Sequence, residues 1–395
     1  MNEPSLTGAE PDRPSLTGPS LNAPGTVAGS AVGRGCADSA LACVGMHHRL
    51  GHAHRYEFAD VLGWQSYLCA RERRLAGEGA LFKSAGAPCV GLEYLDCGGG
   101  SDELPRLLAC VGNALRDVEG YFTDSEQPVF RRHESMLAFD SRSNGEGPNS
   151  VARAQIYDSG RRGRAIVLLP YWNATRDAGA PFGTLLARCG VTCVQLSLPY
   201  HDERRTAGVG FARELVCENL GQTIAANRQA VLDARACVTW LEQEGYQRIG
   251  IVGLSVGASI ASIVAAVDAR VRAAALLLMA DDFADVVWTG SATRHVRASL
   301  ERAFTRDEVR SAWSIISPAS HAARLSARLD RLLIVSGELD TVFPPELTRH
   351  YVDRLRGLGL RPSWVRYGCG HYTLAMPIYA ARCFIRTLAH LQACL

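Results

Sequence analysis

Gly253-Leu254-Ser255-Val256-Gly257 lies between Arg248-Ile249-Gly250-Ile251-Val252 and Ala258-Ser259-Ile260-Ala261-Ser262-Ile263-Val264-Ala265-Ala266. The first flank reads as a short apolar strand and the second as a helix of small residues. The join is therefore a tight strand-to-helix turn. Its glycines let the backbone bend sharply and let the helix approach the strand closely. A serine at such a turn presents its hydroxyl outward, which makes Ser255 the candidate nucleophile. The pentapeptide alone is weak. With 38 glycines in 395 residues, chance supplies about a quarter of such a match per chain. Its weight comes from two sites downstream.

A serine hydroxyl is a poor nucleophile until a base takes its proton, and the base must be oriented by an acid. The candidate acid is Asp340, in Leu333-Ile334-Val335-Ser336-Gly337-Glu338-Leu339-Asp340, placed just past a buried strand signal at the ligand-facing end of a sheet. Asp281 and Asp282, after the strand ending at Met279, are the rival acids. The candidate base is His371, in Tyr367-Gly368-Cys369-Gly370-His371, again after a strand, with Gly370 freeing the backbone to place the ring.

Working outward, strand and helix signals alternate. Met136–Ser141 and Val151–Asp158 read as an antiparallel pair across a turn-rich segment. A buried strand follows at Arg164–Pro170, and further strands at Val191–Leu198, Val271–Met279, Arg331–Ser336 and Arg361–Tyr367. Helices fall at Pro181–Arg188, Asn219–Glu244 and Pro344 to about Leu358, and a terminal helix after the last strand runs to Leu395. Repeated β-α-β units with continuous apolar strands imply a mostly parallel sheet covered on both faces. Asp281–Ser326 is too long for a plain crossover and reads as a helical cap insertion over the candidate site. Trp288, Phe304 and Trp313 within it read as an apolar lining or as core.

With the order Ser255, Asp340, His371 in place, the chain from about Arg131 to Leu395 resembles the α/β-hydrolase superfamily in its serine-hydrolase, esterase-like branch. The resemblance rests on the Ser255 turn, on Gly337, Asp340 and Pro344 in the acid loop, and on Gly370-His371. It implies a Ser-His-Asp triad, acyl-enzyme chemistry on an ester or related acyl bond, and no cofactor or metal. Where this family often carries His-Gly after the strand Ala165–Leu169, the chain has Pro170-Tyr171-Trp172-Asn173. The expected oxyanion donors are backbone N–H groups of Val256 and of Trp172, or Tyr171 if the register slips. Acyl transfer to an alcohol or amine uses the same parts. A non-catalytic binding scaffold is the reading from a different class.

The loop Pro199-Tyr200-His201-Asp202-Glu203-Arg204-Arg205 also opens at the carboxyl end of the sheet. It puts His201 and Arg204 forward as substrate-binding residues, Arg204 or Arg205 for a substrate carboxylate. A solvated charged loop is the plainer alternative.

Residues 1–45 are rich in Pro, Gly, Ser, Thr and Ala and repeat Pro-Ser-Leu-Thr-Gly, so they read as a disordered tail. Residues 46–130 read as a helical N-terminal extension. Leu104, Leu107, Leu108, Val111, Leu115, Val118 and Phe122 fit a 3.6-residue period there. His47, His48, His52 and His54 match no zinc spacing. The α/β domain takes 131–395, with the insertion at 281–326.

Net charge is +2, with a single lysine, Lys83, among 42 basic residues, and the arginines are scattered. Neither indicates a nucleic-acid partner. The partner expected is a small acyl substrate. There are 13 cysteines and no Cys-x-x-Cys pair, so free buried thiols are expected rather than a disulfide framework. No apolar run reaches membrane-spanning length, and no secretory signal pattern opens the sequence. Both predict a cytoplasmic protein that does not bind membranes.

Overall fold

In a computed structural model the chain is described over residues 58–80, 86–97, 102–124, 126–141 and 147–395. The tail, its repeat and the four histidines at 47–54 lie outside the described residues. Ala59–Leu395 forms one compact unit.

Nine strands form one sheet: β1 (Arg131–His133), β2 (Met136–Asp140), β3 (Val151–Tyr157), β4 (Arg164–Leu169), β5 (Thr192–Leu196), β6 (Arg248–Leu254), β7 (Val271–Leu277), β8 (Leu332–Gly337) and β9 (Ser363–Tyr367). Their order is β1-β2-β3-β5-β4-β6-β7-β8-β9. β1, β2, β3 and β5 pair antiparallel, and every pair from β5 through β4 to β9 is parallel. The sequence accounts for this division. β3 alternates half-buried and buried residues, whereas β5 is buried throughout and β4 from Ala165 onward. Strands covered on both faces read as continuous apolar runs.

Besides the single turn Val118–Tyr121, the helices among the described residues are α1 (Phe58–Ala80), α2 (Glu103–Arg116), α3 (Ala180–Arg188), α4 (Leu220–Gln243), α5 (Val256–Val267), α6 (Phe283–Thr289), α7 (Arg294–Leu300), α8 (Arg306–Ala312), α9 (Pro318–Arg328), α10 (Pro345–Gly357) and α11 (Pro377–Cys394). Asn219 caps α4 by accepting the Gln222 N–H. Among the described residues no helix is long and apolar enough to cross a membrane.

Two apolar clusters cover the sheet. One gathers α4, α5 and α9 together with Leu107, Val111 and Ala114 of α2. The other gathers Leu186 of α3 and Cys383 and Leu391 of α11 with Leu68 of α1. α1 and α2 thus join different cores of the α/β body.

Residues 281–326 are helical, as the sequence predicts, and their start packs on the Asp340 loop through Ser291, whose N–H donates to the Thr341 carbonyl. α9 packs along α5, and α8 lies against α6 and α2. Trp313 is fully buried in the core and donates its indole N–H to the Leu220 carbonyl. Trp288 and Phe304 join the same cluster. Apolar demand from the core decided this placement. Cys97 and Cys110 form a disulfide, a pair that the expectation of free thiols omitted. Both lie among surface groups around α2, where burial says nothing about pairing.

Candidate active site

Ser255 opens α5 with φ 59° and ψ −123°, a conformation that L residues rarely adopt and that costs about 1–3 kcal/mol. The surrounding backbone holds it there. The Ser255 N–H donates to the Leu277 carbonyl at 2.8 Å, and the Ser255 carbonyl accepts from Ala258. A Cβ on Gly257 would lie 2.3 Å from the Leu169 carbonyl oxygen and 2.4 Å from that of Pro170. One on Gly253 would lie 2.2 Å from the Gly257 carbonyl oxygen. The two glycines are therefore required by close backbone approach. That approach also brings the residue after Ser255 against the loop that follows β4.

His371 and Asp340 meet this serine. His371 Nε2 lies 2.9 Å from Ser255 Oγ, and His371 Nδ1 lies 2.9 Å from Asp340 Oδ2. The other carboxylate oxygen, Oδ1, accepts the N–H groups of Val342 at 2.8 Å and Phe343 at 2.7 Å. Those two donors fix the plane of the carboxylate. Asp340 therefore faces the imidazole with a pure acceptor, which selects the tautomer carrying its proton on Nδ1 and leaves Nε2 to accept from the serine. Asp281 and Asp282 do not reach the histidine. Asp282 caps α6 through the Asp285 N–H, and burial pushes its carboxyl up to about 6. Asp281 is buried near His350 and Arg354.

A cavity of about 940 Å³ adjoins His371. Its walls include Trp172, Phe182, Leu254, Leu277, Leu278 and Phe384, with Tyr171 exposed at its edge. They come from the β4 loop, α3, the ends of β6 and β7, and α11. None of the described residues lining it belongs to 281–326. That segment approaches through His295 of α7, whose ring stacks on Trp172 at 6.2 Å.

His201 and Arg204, expected to bind substrate, are instead buried supports. His201 is 1% exposed. Its Nδ1–H donates to the Pro199 carbonyl at 2.8 Å, and its Nε2 accepts the Asn173 N–H at 2.9 Å. Asn173 sits at φ 65°, and its Oδ1 accepts the Ala212 N–H at 2.7 Å. The histidine thus braces the Tyr171-Trp172-Asn173 turn and occupies the Asn173 N–H, leaving that donor out of any oxyanion hole. Arg204 is fully buried and ion-pairs with Asp233 at 2.8 Å. It also donates to the carbonyls of Ser197 and Asn149 and to Ser141 Oγ. A guanidinium so engaged ties β2, the loop after β5 and α4 together. Charged residues in a loop signal polarity, and only packing decides whether water or protein satisfies them.

Burial pushes the His201 imidazole down to about 4 from its ordinary 6.5. An unfolded chain binds the proton near pH 6.5 and the native one only near 4, so stability declines as pH falls through that window. The decline from this group should reach about 3 kcal/mol. Thermal melts between pH 7 and 4 should show a loss that is smaller in His201→Gln, the remainder coming from groups such as the buried His321 and His390. Equal losses in both proteins would dismiss this role for the histidine.

Glu72 of α1 is a member of this neighbourhood that sequence reasoning missed. It is completely buried, and its carboxylate accepts the N–H groups of Tyr372 and Thr373, immediately after the histidine. No local signal marks it, since it lies in Arg71-Glu72-Arg73-Arg74, which reads as a solvated run.

A mostly parallel sheet with antiparallel strands at one edge, a serine on a strained strand-to-helix turn, and an acid and a histidine from loops after later strands together define the α/β-hydrolase superfamily. The chain has the fold of that superfamily. The family described as alpha/beta hydrolase domain containing 18 matches residues 181–329, a stretch that holds Ser255 but neither Asp340 nor His371. Among solved structures, the acetyl xylan esterase from Paenibacillus sp. R4 is similar with a TM-score of 0.53 and 13% identity, over 77% of this chain and 98% of that one. Acetyl xylan esterase 1 from Thermoanaerobacterium sp. JW/SL YS485 is similar with a TM-score of 0.50 and 15% identity, over 77% and 96%. At these identities the likeness is one of fold. No curated protein matches the sequence.

Proposed function

We propose that this protein is a serine hydrolase that cleaves carboxylic esters of apolar acyl groups through an acyl-enzyme on Ser255. The observation that carries the reading is the unbroken line from Ser255 Oγ through His371 to Asp340, with 2.9 Å at each contact, beside an apolar cavity. Ser255 attacks the acyl carbonyl as His371 Nε2 takes its proton. Asp340 orients the ring and stabilises the imidazolium. His371 then protonates the leaving alcohol, and the same base activates the water that releases the acid.

The oxyanion needs N–H donors aimed at it. Val256 is the first residue of α5, so its N–H has no acceptor within the helix. It points from a helix N-terminus, where negative charge is favoured. Trp172, or Tyr171, is the proposed second donor, because Gly257 packs directly against the carbonyls of Leu169 and Pro170. The acetyl xylan esterases of similar fold support an ester bond as the target. Cysteine usage supports a cytoplasmic location, since Cys193, Cys217, Cys237, Cys369 and Cys383 are buried free thiols.

Turnover of p-nitrophenyl esters of rising chain length tests this reading. A buried methylene contributes about 0.8 kcal/mol, or roughly fourfold per carbon. kcat/KM should therefore climb from acetyl to medium-chain esters and level off as the cavity fills. A maximum at acetyl would refute the apolar acyl class. No turnover of any ester, with no fluorophosphonate adduct on Ser255, would refute the hydrolase reading itself.

A further inference from the structure

We propose that Glu72 is a positioning residue that holds the His371 backbone in its working orientation. The inference rests on the Ser255–His371–Asp340 reading and adds to it a part supplied by α1, which precedes the α/β sheet in the chain.

Taking a carboxylate fully out of water is costly unless its oxygens are hydrogen-bonded. Among the described residues no arginine or lysine pairs with Glu72, and burial raises its carboxyl above the usual range. Its bonds go to the histidine loop. Oε2 accepts the N–H of Tyr372 at 3.1 Å, the N–H of Thr373 at 3.1 Å and the hydroxyl of Thr373 at 3.2 Å, and Oε1 lies 3.2 Å from the same Tyr372 nitrogen. Thr373 Oγ1 in turn accepts the Gly370 N–H at 2.6 Å. One side chain therefore grips the backbone on both sides of His371. The approach is close: a Cβ on Gly370 would lie 2.2 Å from the Glu72 carboxyl carbon. Glycine before the histidine is thus needed to admit the carboxylate.

The helix itself is anchored there. Leu68 and Ala76, one turn to either side of Glu72, are buried. The Trp64 indole N–H donates to the Tyr379 hydroxyl, which donates to the Gly368 carbonyl. The histidine loop lies beyond β9, where no strand ladder restrains it. A carboxylate built into it by α1 supplies that restraint.

The test is steady-state kinetics on the full chain, with active sites counted by fluorophosphonate titration of Ser255. Glu72→Leu removes all the acceptors. A misplacement of about 1 Å costs on the order of a hundredfold. kcat per titrated site should therefore fall about 10- to 100-fold while KM moves less than threefold. Glu72→Gln keeps a carbonyl oxygen where Oε2 accepts and should recover most of that rate. If Glu72→Leu does not fold, Glu72→Asp, which withdraws the carboxylate by one methylene, should lose about tenfold in kcat. A kcat per site within twofold of wild type in the folded variants overturns the proposal, whatever their melting temperatures. So does a loss carried wholly by KM. If wild type shows no Ser255-dependent adduct, the triad reading fails and this proposal with it. A labelled wild type beside unaffected Glu72 variants refutes the positioning role alone.

Discussion

Ser255→Ala is expected to leave a folded protein whose ester turnover is about a millionfold lower, the loss seen when a serine hydrolase is deprived of its nucleophile. The side chain makes one hydrogen bond, to His371 Nε2. Its backbone strain at φ 59° is the same for alanine, so stability should change by no more than about 1 kcal/mol. Chemistry is lost because no other oxygen occupies the point that His371 Nε2 addresses. Rate above the uncatalysed reaction, about 10³- to 10⁴-fold, should survive from oxyanion stabilisation and binding alone. Intact-protein mass after fluorophosphonate treatment and initial rates on a medium-chain p-nitrophenyl ester measure both expectations. Persistent labelling at another residue, with turnover retained, would remove Ser255 from its role.

Asp340→Asn should cost about 10⁴-fold in kcat and leave the fold nearly unchanged. The reason lies in the two backbone donors at Oδ1. The Val342 and Phe343 N–H groups oblige the asparagine to turn its carbonyl oxygen toward them. Its NH₂ group then confronts His371 Nδ1 where a carboxylate oxygen stood. The imidazole must accept at Nδ1 and carry its proton on Nε2, so it can no longer take the serine proton. Fluorophosphonate labelling should slow in parallel with turnover while KM holds. A loss of less than about tenfold would mean that another acid, or none, orients the histidine.

Much of the candidate site was legible because Ser255, Asp340 and His371 each follow a strand and announce themselves locally. Ser255 stands on a glycine-flanked turn, Asp340 after a run of buried aliphatics, and His371 after Gly370. Alternation in β3 against continuity in β4 and β5 likewise separates the antiparallel edge from the parallel centre. The supports were not legible. His201 and Arg204 read as pocket residues because a polar loop looks the same whether water or protein satisfies it. Glu72 reads as solvated among arginines, although its partners, Tyr372 and Thr373, lie about 300 positions away.

The sequence by itself determined the strand and helix order, the strained turn at Ser255 and the three residues that converge there, because hydrophobic period and glycine placement act over a few residues. Tertiary structure alone decided which polar side chains face the cavity and which are buried beneath it. It also sent α1 and α2 into different cores. Burial and hydrogen-bond satisfaction depend on segments far apart in the chain, and no local pattern encodes them.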